Sequence, residues 1–567
     1  HAQVITFMRK YLDVPISVHL VGWSFPERRI WPHFDQINEA GKEFMAHVKQ
    51  HDVRVIPYSD SIIFSINDVP GPTGEKDYSR IGFPSAVKNV NGIPIYRQYG
   101  KKKVVVVCPG APLWQDYYTN IVSSIAKLGF DGAYHDQQGA YRAFSCFDRT
   151  HNHDVNDPAS WIVKGHIPMF EKIRAAAYKV NPDFVHTSED GADPHLQLMD
   201  GYTMWRFTEP NHVPAFQAVY AGRIQISGRM FNHQQPGDWD SAFIKFAEQL
   251  AYAEQLGWIT VEDLIVATPL RTYFKKLAHL RQGLIKYFTE ADMLKPYRFE
   301  NMPKIKSRWG DFGQAKNVIT DKIIHSSWQL PDGRIMAIFI NTVEEPVSVK
   351  VKHAFDAKGK LAICREGAKT PEYADPAKLP EIKLAPYATE VWLYSPADNS
   401  EEASKIAALM HKISTFDMGE DVFPSSGYNR GAKKTAVSPG TEIYLDRIYR
   451  YYNCHRKSYK SGGGIRKRML HTYDKSEIYF MNLAISPEVK ALEITAAATG
   501  KTEVELCEIT RKGTLRPLAK IQLKSSNKWM EMHKNTIELP KQMKKGKTAL
   551  VLKFSGDTTR FQNVKFL

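Results

Sequence analysis

The sequence predicts a multidomain protein, a (β/α)8 TIM barrel followed by two all-β sandwich domains, on three observations. The chain has 567 residues, more than one hydrophobic core organises. From residue 14 to about 290, strand-like and helix-like segments alternate as in a parallel α/β fold. After about residue 300, short strands split by Gly, Pro and Asn turns take over, the pattern of a β-sandwich. The expected boundaries are 1–300 for the barrel, 310–396 for the first sandwich and 397–567 for the second.

Val14–Trp23 reads as the first strand, Phe34–Gln50 as a helix and Val53–Tyr58 as the second strand, ending at Asp60. Residues 66–100 lack periodicity and read as a long loop on the active-site face. Val104–Cys108 is a continuous apolar run, as in a strand buried on both faces, and Pro109-Gly110 stops it. Gln115–Leu128 follows as a helix with Gly129 past its end. Gly129-Phe-Asp-Gly-Ala-Tyr-His-Asp136 and Asp183-Phe-Val-His-Thr-Ser-Glu189 are two acid-tipped strands, separated by a helix from Trp161 to Val180. Asn181-Pro182 ends that helix. Gly201–Arg206 and Arg223–Met230 read as further strands, with helices near 239–256 and 270–288 and an eighth strand near Gly257–Thr260. Pro396–Ser404 reads as a linker between the two sandwiches.

The composition is 43% hydrophobic and 12% aromatic, which fits a folded chain and excludes a disordered one. No stretch approaches the ~20 apolar residues of a membrane span. Cys108, Cys146, Cys364, Cys454 and Cys507 are scattered and odd in number, against a disulfide framework, and show no CxxC-type metal spacing. His151-Asn-His-Asp154 lacks further ligands in sequence, so no metal site is expected. The net charge is +15, and residues 397–567, with 30 Lys+Arg against 18 Asp+Glu, hold most of it. The densest run, Arg456 to Arg468, reads as a solvated loop. It has no helical or aromatic-interleaved reader of the kind nucleic acid requires, and an acidic polysaccharide remains a partner compatible with it.

The chemistry points to the two acid-tipped strands. Barrel sites are assembled at the C-terminal ends of strands, and hydrolysis of a glycosidic bond needs one carboxylate at the anomeric carbon and one acid at the leaving oxygen. Asp136 is the candidate for the first role and Glu189 for the second. Neighbouring strands lie ~4.8 Å apart, so their tips can reach the ~5–5.5 Å of a retaining pair. Other residues at strand ends are expected in the sugar pocket: Trp23, Tyr58, Asp60, His135, Trp205, Arg206 and Arg229. The two tryptophans would stack on sugar rings, while Arg206 and Asp60 would grip hydroxyls or an anionic group. Asp190-Gly191 reads as a turn. No Walker loop, dinucleotide fingerprint or G-x-S-x-G elbow occurs.

Through Gly129–Asp136, the helix end Ala175–Asp183 and His186-Thr-Ser-Glu189, residues 1–290 resemble the barrel of endo-α-N-acetylgalactosaminidase-like glycoside hydrolases (family 101). The resemblance implies a fourth-strand nucleophile and a fifth-strand acid/base, matching Asp136 and Glu189, and retention at an α-linkage. In α-glucosidase and α-galactosidase barrels the acid comes from the sixth strand, and Glu209 would then replace Glu189. The C-terminal segment resembles a family 6 or 35 carbohydrate-binding module through Val504–Ile509, Lys520–Leu523, Lys528-Trp529, Ala549–Gly556 and Phe561–Phe566. By position, Asn563 matches the sugar-holding asparagine of binding members. Such modules often carry structural calcium, and no other cofactor is expected. The resemblances together imply a bacterial glycoside hydrolase, secreted, periplasmic or at the cell surface, acting on a polysaccharide or glycan. The competing reading is a barrel that grips glycan without cleaving it.

Overall fold

In a computed structural model the described residues are 2–24, 34, 36–66, 77–99, 102–140, 142–204, 213–229, 238–259, 264, 268–311, 314–353, 359–416, 435–444, 450–460, 466–509, 515–526, 528, 531–540 and 546–567. The first nine strands are β1 (Ile16–Leu20), β2 (Val53–Asp60), β3 (Ile63–Ser65), β4 (Tyr96–Tyr99), β5 (Lys102–Val106), β6 (Gly132–Asp136), β7 (Val185–Glu189), β8 (Gly201–Thr203) and β9 (Gln225–Ser227). Six of them form one parallel sheet in the order β1-β2-β6-β7-β8-β9, with α-helices in the crossovers except between β7 and β8, where a 3-10 turn at Asp193–His195 stands. Beyond β9, Ser227 makes one more parallel bridge, to Gln255.

Eight barrel strands were expected, and among the described residues the parallel sheet has six. The main reason is the run Val104–Cys108. Although buried throughout, it does not join the parallel sheet. β5 instead pairs antiparallel with β3 and β4, and Val107 bridges Ala86. Much of the expected loop 66–100 is therefore a small antiparallel insertion between β2 and β6. This changes the strand count: Asp136 ends the third strand of the parallel sheet and Glu189 the fourth, not the fourth and fifth.

Local chemistry fixes these elements. Asn38, with extended backbone, caps the helix Glu39–Val48 by accepting from Gly41 N at 2.7 Å. The helix Pro112–Lys127 starts with proline, where no N–H is required, and Gly129 follows it at φ 84°. Asp131 ties β6 to β2, accepting from Val55 N at 2.7 Å and pairing with Lys49 at 2.7 Å. At Gly132 a Cβ would lie 2.4 Å from Val185 O, so only glycine allows β6 and β7 to approach at this point. The helices Pro112–Lys127 and Ile167–Tyr178 pack together over the outer face of this sheet.

From residue 292 onward the chain is mainly β. Ile323–Gln329, Ile335–Asn341, Thr389–Ser395 and Lys360–Arg365 are successive neighbours in an antiparallel sheet, with Tyr297, Phe339 and Trp392 in its core. The expected linker Pro396–Ser404 is not one. A helix begins at Ser400 and runs to Ser414, burying Ala403, Ile406, Ala407, Met410 and Ile413. Its core also contains Leu12, Leu277 and Val391. Further on, residues 435–566 form a ten-stranded sheet. In it the long strand Arg466–Ile485 pairs with Thr559–Phe566 near residue 471 and with Gly546–Gly556 beyond residue 476. One strand thus serves two faces, which close on a shared core that includes Leu492, Val504, Leu552 and Phe561. Among the described residues no helix is long and apolar enough to cross a membrane.

Candidate active site

Successive residues of a strand point to opposite faces, and that alternation builds the site. A cavity of about 1840 Å³ is lined by Ile56 and Tyr58 of β2, Tyr134 and Asp136 of β6, Thr187 and Glu189 of β7, Gly201 of β8, and Gln225 and Ser227 of β9. β2, β6, β7 and β9 contribute alternate residues to it, and β1 lines it along its whole length from Ile16 to Leu20. In the β6–β7 register His135 lies opposite Ser188, and Asp136 and Glu189 each follow directly. Both predicted catalytic carboxylates therefore end adjacent parallel strands and line the same cavity.

Asp136 is half-buried and held on two sides. The Tyr58 hydroxyl donates to Oδ2 at 2.6 Å, and Gln137 N donates to Oδ1 at 3.0 Å. Gln137 takes φ 64°, which turns the chain away immediately after the carboxylate. Its side chain accepts from the Tyr99 hydroxyl at 2.9 Å and donates to Asp60 Oδ2 at 2.8 Å. Gln138 is fixed in turn by Ser61 Oγ at 2.8 Å and His166 Nδ1 at 2.6 Å. Sequence reasoning missed both glutamines as positioning residues, although the polar run directly after the strand was their signal.

The other expected pocket residues fall into distinct groups. Tyr58 lines the cavity. Asp60 lies in register with Asp136 but is fully buried behind it, accepting from Ile62 N at 2.8 Å and Ile63 N at 3.2 Å. Burial first, and then the charge of Asp136, push its carboxyl well above the usual range, against these hydrogen bonds. Asp60 therefore braces the site and does not grip a hydroxyl. Trp23 is 2% exposed. Its indole N–H donates to Tyr58 O at 2.9 Å and its ring packs edge-on to Phe130, so it lines the cavity as a largely covered ring.

His135 also departs from expectation. Being one residue off Asp136, it points to the opposite face, among the helices. Its Nδ1 meets the Tyr118 hydroxyl at 2.8 Å and its Nε2 meets His186 Nδ1 at 3.0 Å. Arg229 is fully buried in an ion cluster. Its Nε and Nη2 reach the two Glu254 oxygens at 3.0 and 2.7 Å, and Nη1 pairs with Glu248. Arg229 nevertheless lines the cavity as well, with its guanidinium committed to the two carboxylates. Trp205, Arg206 and Glu209 lie outside the described residues. Asn563 is 6% exposed inside the C-terminal sheet, in register with Thr495 and Tyr444, so it does not present its side chain at the surface.

His19 and Trp258 are among the cavity residues that the sequence did not single out. His19 of β1 lies against Tyr134 with ring centroids 4.9 Å apart, and burial lowers it to about 4, so it is neutral near pH 7. Trp258 lines the cavity at 43% exposure, the position of a stacking platform at a rim. The signal for Trp258 was present, but its segment had been read only as an eighth strand.

A second constellation was only half visible in sequence, through the His151-Asn-His153 motif. Cys108, Cys146, His151 and His153, all buried, bring their donor atoms within 4.8 Å of one another. The spacing argument against a metal site considered neighbours along the chain, whereas here the fold supplies them.

Residues 1–233 match the family model of a domain of unknown function (DUF6259). A curated protein of Monosiga brevicollis, "Putative glycoside hydrolase 22789", is 26% identical over 155 residues, which are 26% of this chain and 13% of that protein. The match thus spans about an eighth of the relative's length. Over the whole chain the fold can be laid on an isomalto-dextranase of Arthrobacter globiformis T6 complexed with panose, with a TM-score of 0.43, 11% identity and 92% of that chain covered. The cycloalternan-forming enzyme of Listeria monocytogenes gives a TM-score of 0.38 at 11% identity, covering 100% of this chain and 64% of that one. A family 6 carbohydrate-binding module of Clostridium stercorarium, in complex with cellobiose, matches 24% of this chain and 95% of its own, at 14% identity and a TM-score of 0.20.

Proposed function

We propose that this protein is a retaining glycoside hydrolase acting on an α-linked glycan, with Asp136 as nucleophile and Glu189 as general acid/base. The observation that carries the reading is the placement of these two carboxylates at the ends of adjacent parallel strands, lining one large cavity. Adjacent strand tips suit the ~5–5.5 Å separation of retaining pairs. The similarity over part of the chain to the Monosiga brevicollis protein described as a glycoside hydrolase supports the same chemistry.

The steps follow from the geometry. Asp136, ionised and steadied by the Tyr58 hydroxyl, attacks the anomeric carbon while Glu189 gives its proton to the departing oxygen. The C1–O bond breaks as the C1–Oδ bond forms, leaving a glycosyl ester on Asp136. Glu189, now a carboxylate, takes a proton from water, and the resulting attack at C1 releases the sugar with its original configuration and restores both groups. The substrate is a polysaccharide or glycan taken up outside the cell, and the C-terminal sandwich holds the enzyme on it.

The test uses Asp136→Asn and Glu189→Gln against an α-glycoside library. Each variant is expected to lose at least about 1000-fold in kcat/KM with its thermal unfolding unchanged, and azide is expected to rescue Asp136→Ala as the inverted glycosyl azide. Undiminished hydrolysis in both variants would overturn the assignment. Glycan binding with no cleavage of any α-linked substrate by the unmodified protein would establish the binding-only alternative.

A further inference from the structure

We propose that Cys108, Cys146, His151 and His153 form a structural zinc site that staples the segment after the candidate nucleophile to the antiparallel insertion. Cys108 follows β5, and the other three lie in the segment 142–157, which leaves β6 beyond Asp136. Their exposures are 0%, 1%, 6% and 8%, and no pair of donor atoms is more than 4.8 Å apart. Tetrahedral bonds of ~2.3 Å to sulfur and ~2.0–2.1 Å to nitrogen place donors ~3.3–3.8 Å from one another, a span this cluster reaches with small side-chain shifts.

The hydrogen bonds around the histidines favour a ligand at the centre. His151 Nε2 faces Pro84 O at 2.9 Å and His153 Nδ1 faces Asp154 O at 3.0 Å. A carbonyl only accepts, so each of these nitrogens carries the proton. The remaining nitrogens, His151 Nδ1 and His153 Nε2, are therefore lone pairs directed at the sulfurs, with His151 Nδ1 3.5 Å from Cys146 Sγ. His153 Nε2 is buried without a hydrogen-bond partner among the described residues. Metal-bound imidazoles characteristically have their other N–H fixed on a carbonyl in this manner.

The surrounding fold is shaped to the cluster. A Cβ at Gly110 would lie 2.6 Å from His153 Cδ2, so glycine makes room for the ring. Asn152 N donates to Gly110 O at 2.7 Å, and Asn156 N to Cys146 O at 2.9 Å. Both sulfurs belong to free thiols. Two thiolates and two neutral imidazoles cancel the charge of a divalent cation, so the complex can be buried without an unpaired charge. Two Cys and two His in a closed, dry, tetrahedral set select zinc over harder cations, and four protein donors leave no open position for catalysis. The proposal stands independently of the glycosidase reading.

Elemental analysis of the protein purified from zinc-supplemented cells is expected to find about one zinc per chain, released when the thiols are titrated with a mercurial. Cobalt exchange should give tetrahedral d–d bands together with sulfur-to-cobalt charge transfer. Cys108→Ser/Cys146→Ser should lose the metal, while His153→Cys, which retains four ligands, should keep it. Should the serine variant fail to fold, the mercurial and cobalt measurements on the unmodified protein decide. Metal-free protein that gives no cobalt spectrum, zinc retained by the double serine variant, or a Cys108–Cys146 disulfide found by peptide mapping would each overturn the site.

Discussion

Acidification should weaken the unit built on the parallel sheet through the His135–His186 pair, and the hydrogen bonds around it show why. Ser59 Oγ donates to Tyr134 O at 3.0 Å and lies 2.9 Å from the Tyr118 hydroxyl. With that proton committed, Tyr118 donates to Ser59 and accepts from His135 Nδ1. His135 Nε2 then accepts from His186 Nδ1. The only group left over is the His186 Nε2 lone pair, buried without a partner among the described residues, and an idle acceptor costs less than a bare N–H. The assignment follows from the network, and it leaves both rings neutral. A further proton on either ring has no acceptor.

Burial foremost, with Arg174 second, accordingly lowers His135 from 6.5 to about 3, and burial lowers His186 well below its ordinary value. For a base whose folded value is depressed, stability is complete above the unfolded value near 6.5 and is lost as pH falls toward the folded one. Between pH 7 and pH 5 the unfolded chain takes up about 0.7 of a proton at each histidine while the folded chain takes up almost none. This costs about 2 kcal/mol per ring and about 4 kcal/mol for the pair. The assay is urea unfolding at both pH values for the unmodified protein and for His135→Phe/His186→Phe. The double variant is expected to show a pH-dependent loss smaller by about 4 kcal/mol, whatever its absolute stability. An equal loss in both proteins would refute the neutral-pair reasoning.

Three further outcomes follow from the site and its supports. Tyr58→Phe removes a hydrogen bond to a carboxylate, worth about 1.5–3 kcal/mol. Activity should fall about 10–100-fold, and the acidic limb of the kcat/KM profile should move to higher pH, because the charged form of Asp136 loses support. Arg229→Met strands Glu248 and Glu254 in the interior and should cost about 3–5 kcal/mol in chemical denaturation. Gly132→Ala drives a methyl group into Val185 O, so the β6–β7 pairing should open, seen as faster amide exchange at Tyr134 and Thr187 and a lowered melting temperature.

How far the sequence could be read depended on whether a residue's partner was local. The strands ending at Asp60, Asp136 and Glu189 were legible because alternation and an acid tip are properties of a few consecutive residues. The same alternation should have turned His135 away from the mouth, but reading it as part of the polar tip obscured its parity. Val104–Val107 misled because full burial, 0% exposure at each, is common to a parallel barrel strand and to an inserted antiparallel one, and periodicity does not separate them. Arg229 had the residue type of a ligand contact, yet its carboxylate partners lie 19 and 25 residues downstream. Trp23 and the Cys108–Cys146 pair failed for the same reason: what decides their role is supplied by another segment.

The helix Ala2–Leu12 has a consequence for synthesis on the ribosome. His279 Nε2 meets Leu12 O at 2.9 Å across 267 residues, and Met8 and Leu12 share a core with Leu280, Met336 and Ile413. A chain emerging from the exit tunnel at ~5–20 residues per second presents the apolar face of this helix for roughly 20–80 s before that core can close. During that interval the nascent chain offers chaperones an apolar helix face whose packing partners are still unmade. Slowing translation within residues 292–395 should therefore lower soluble yield more than the same pause placed after residue 416.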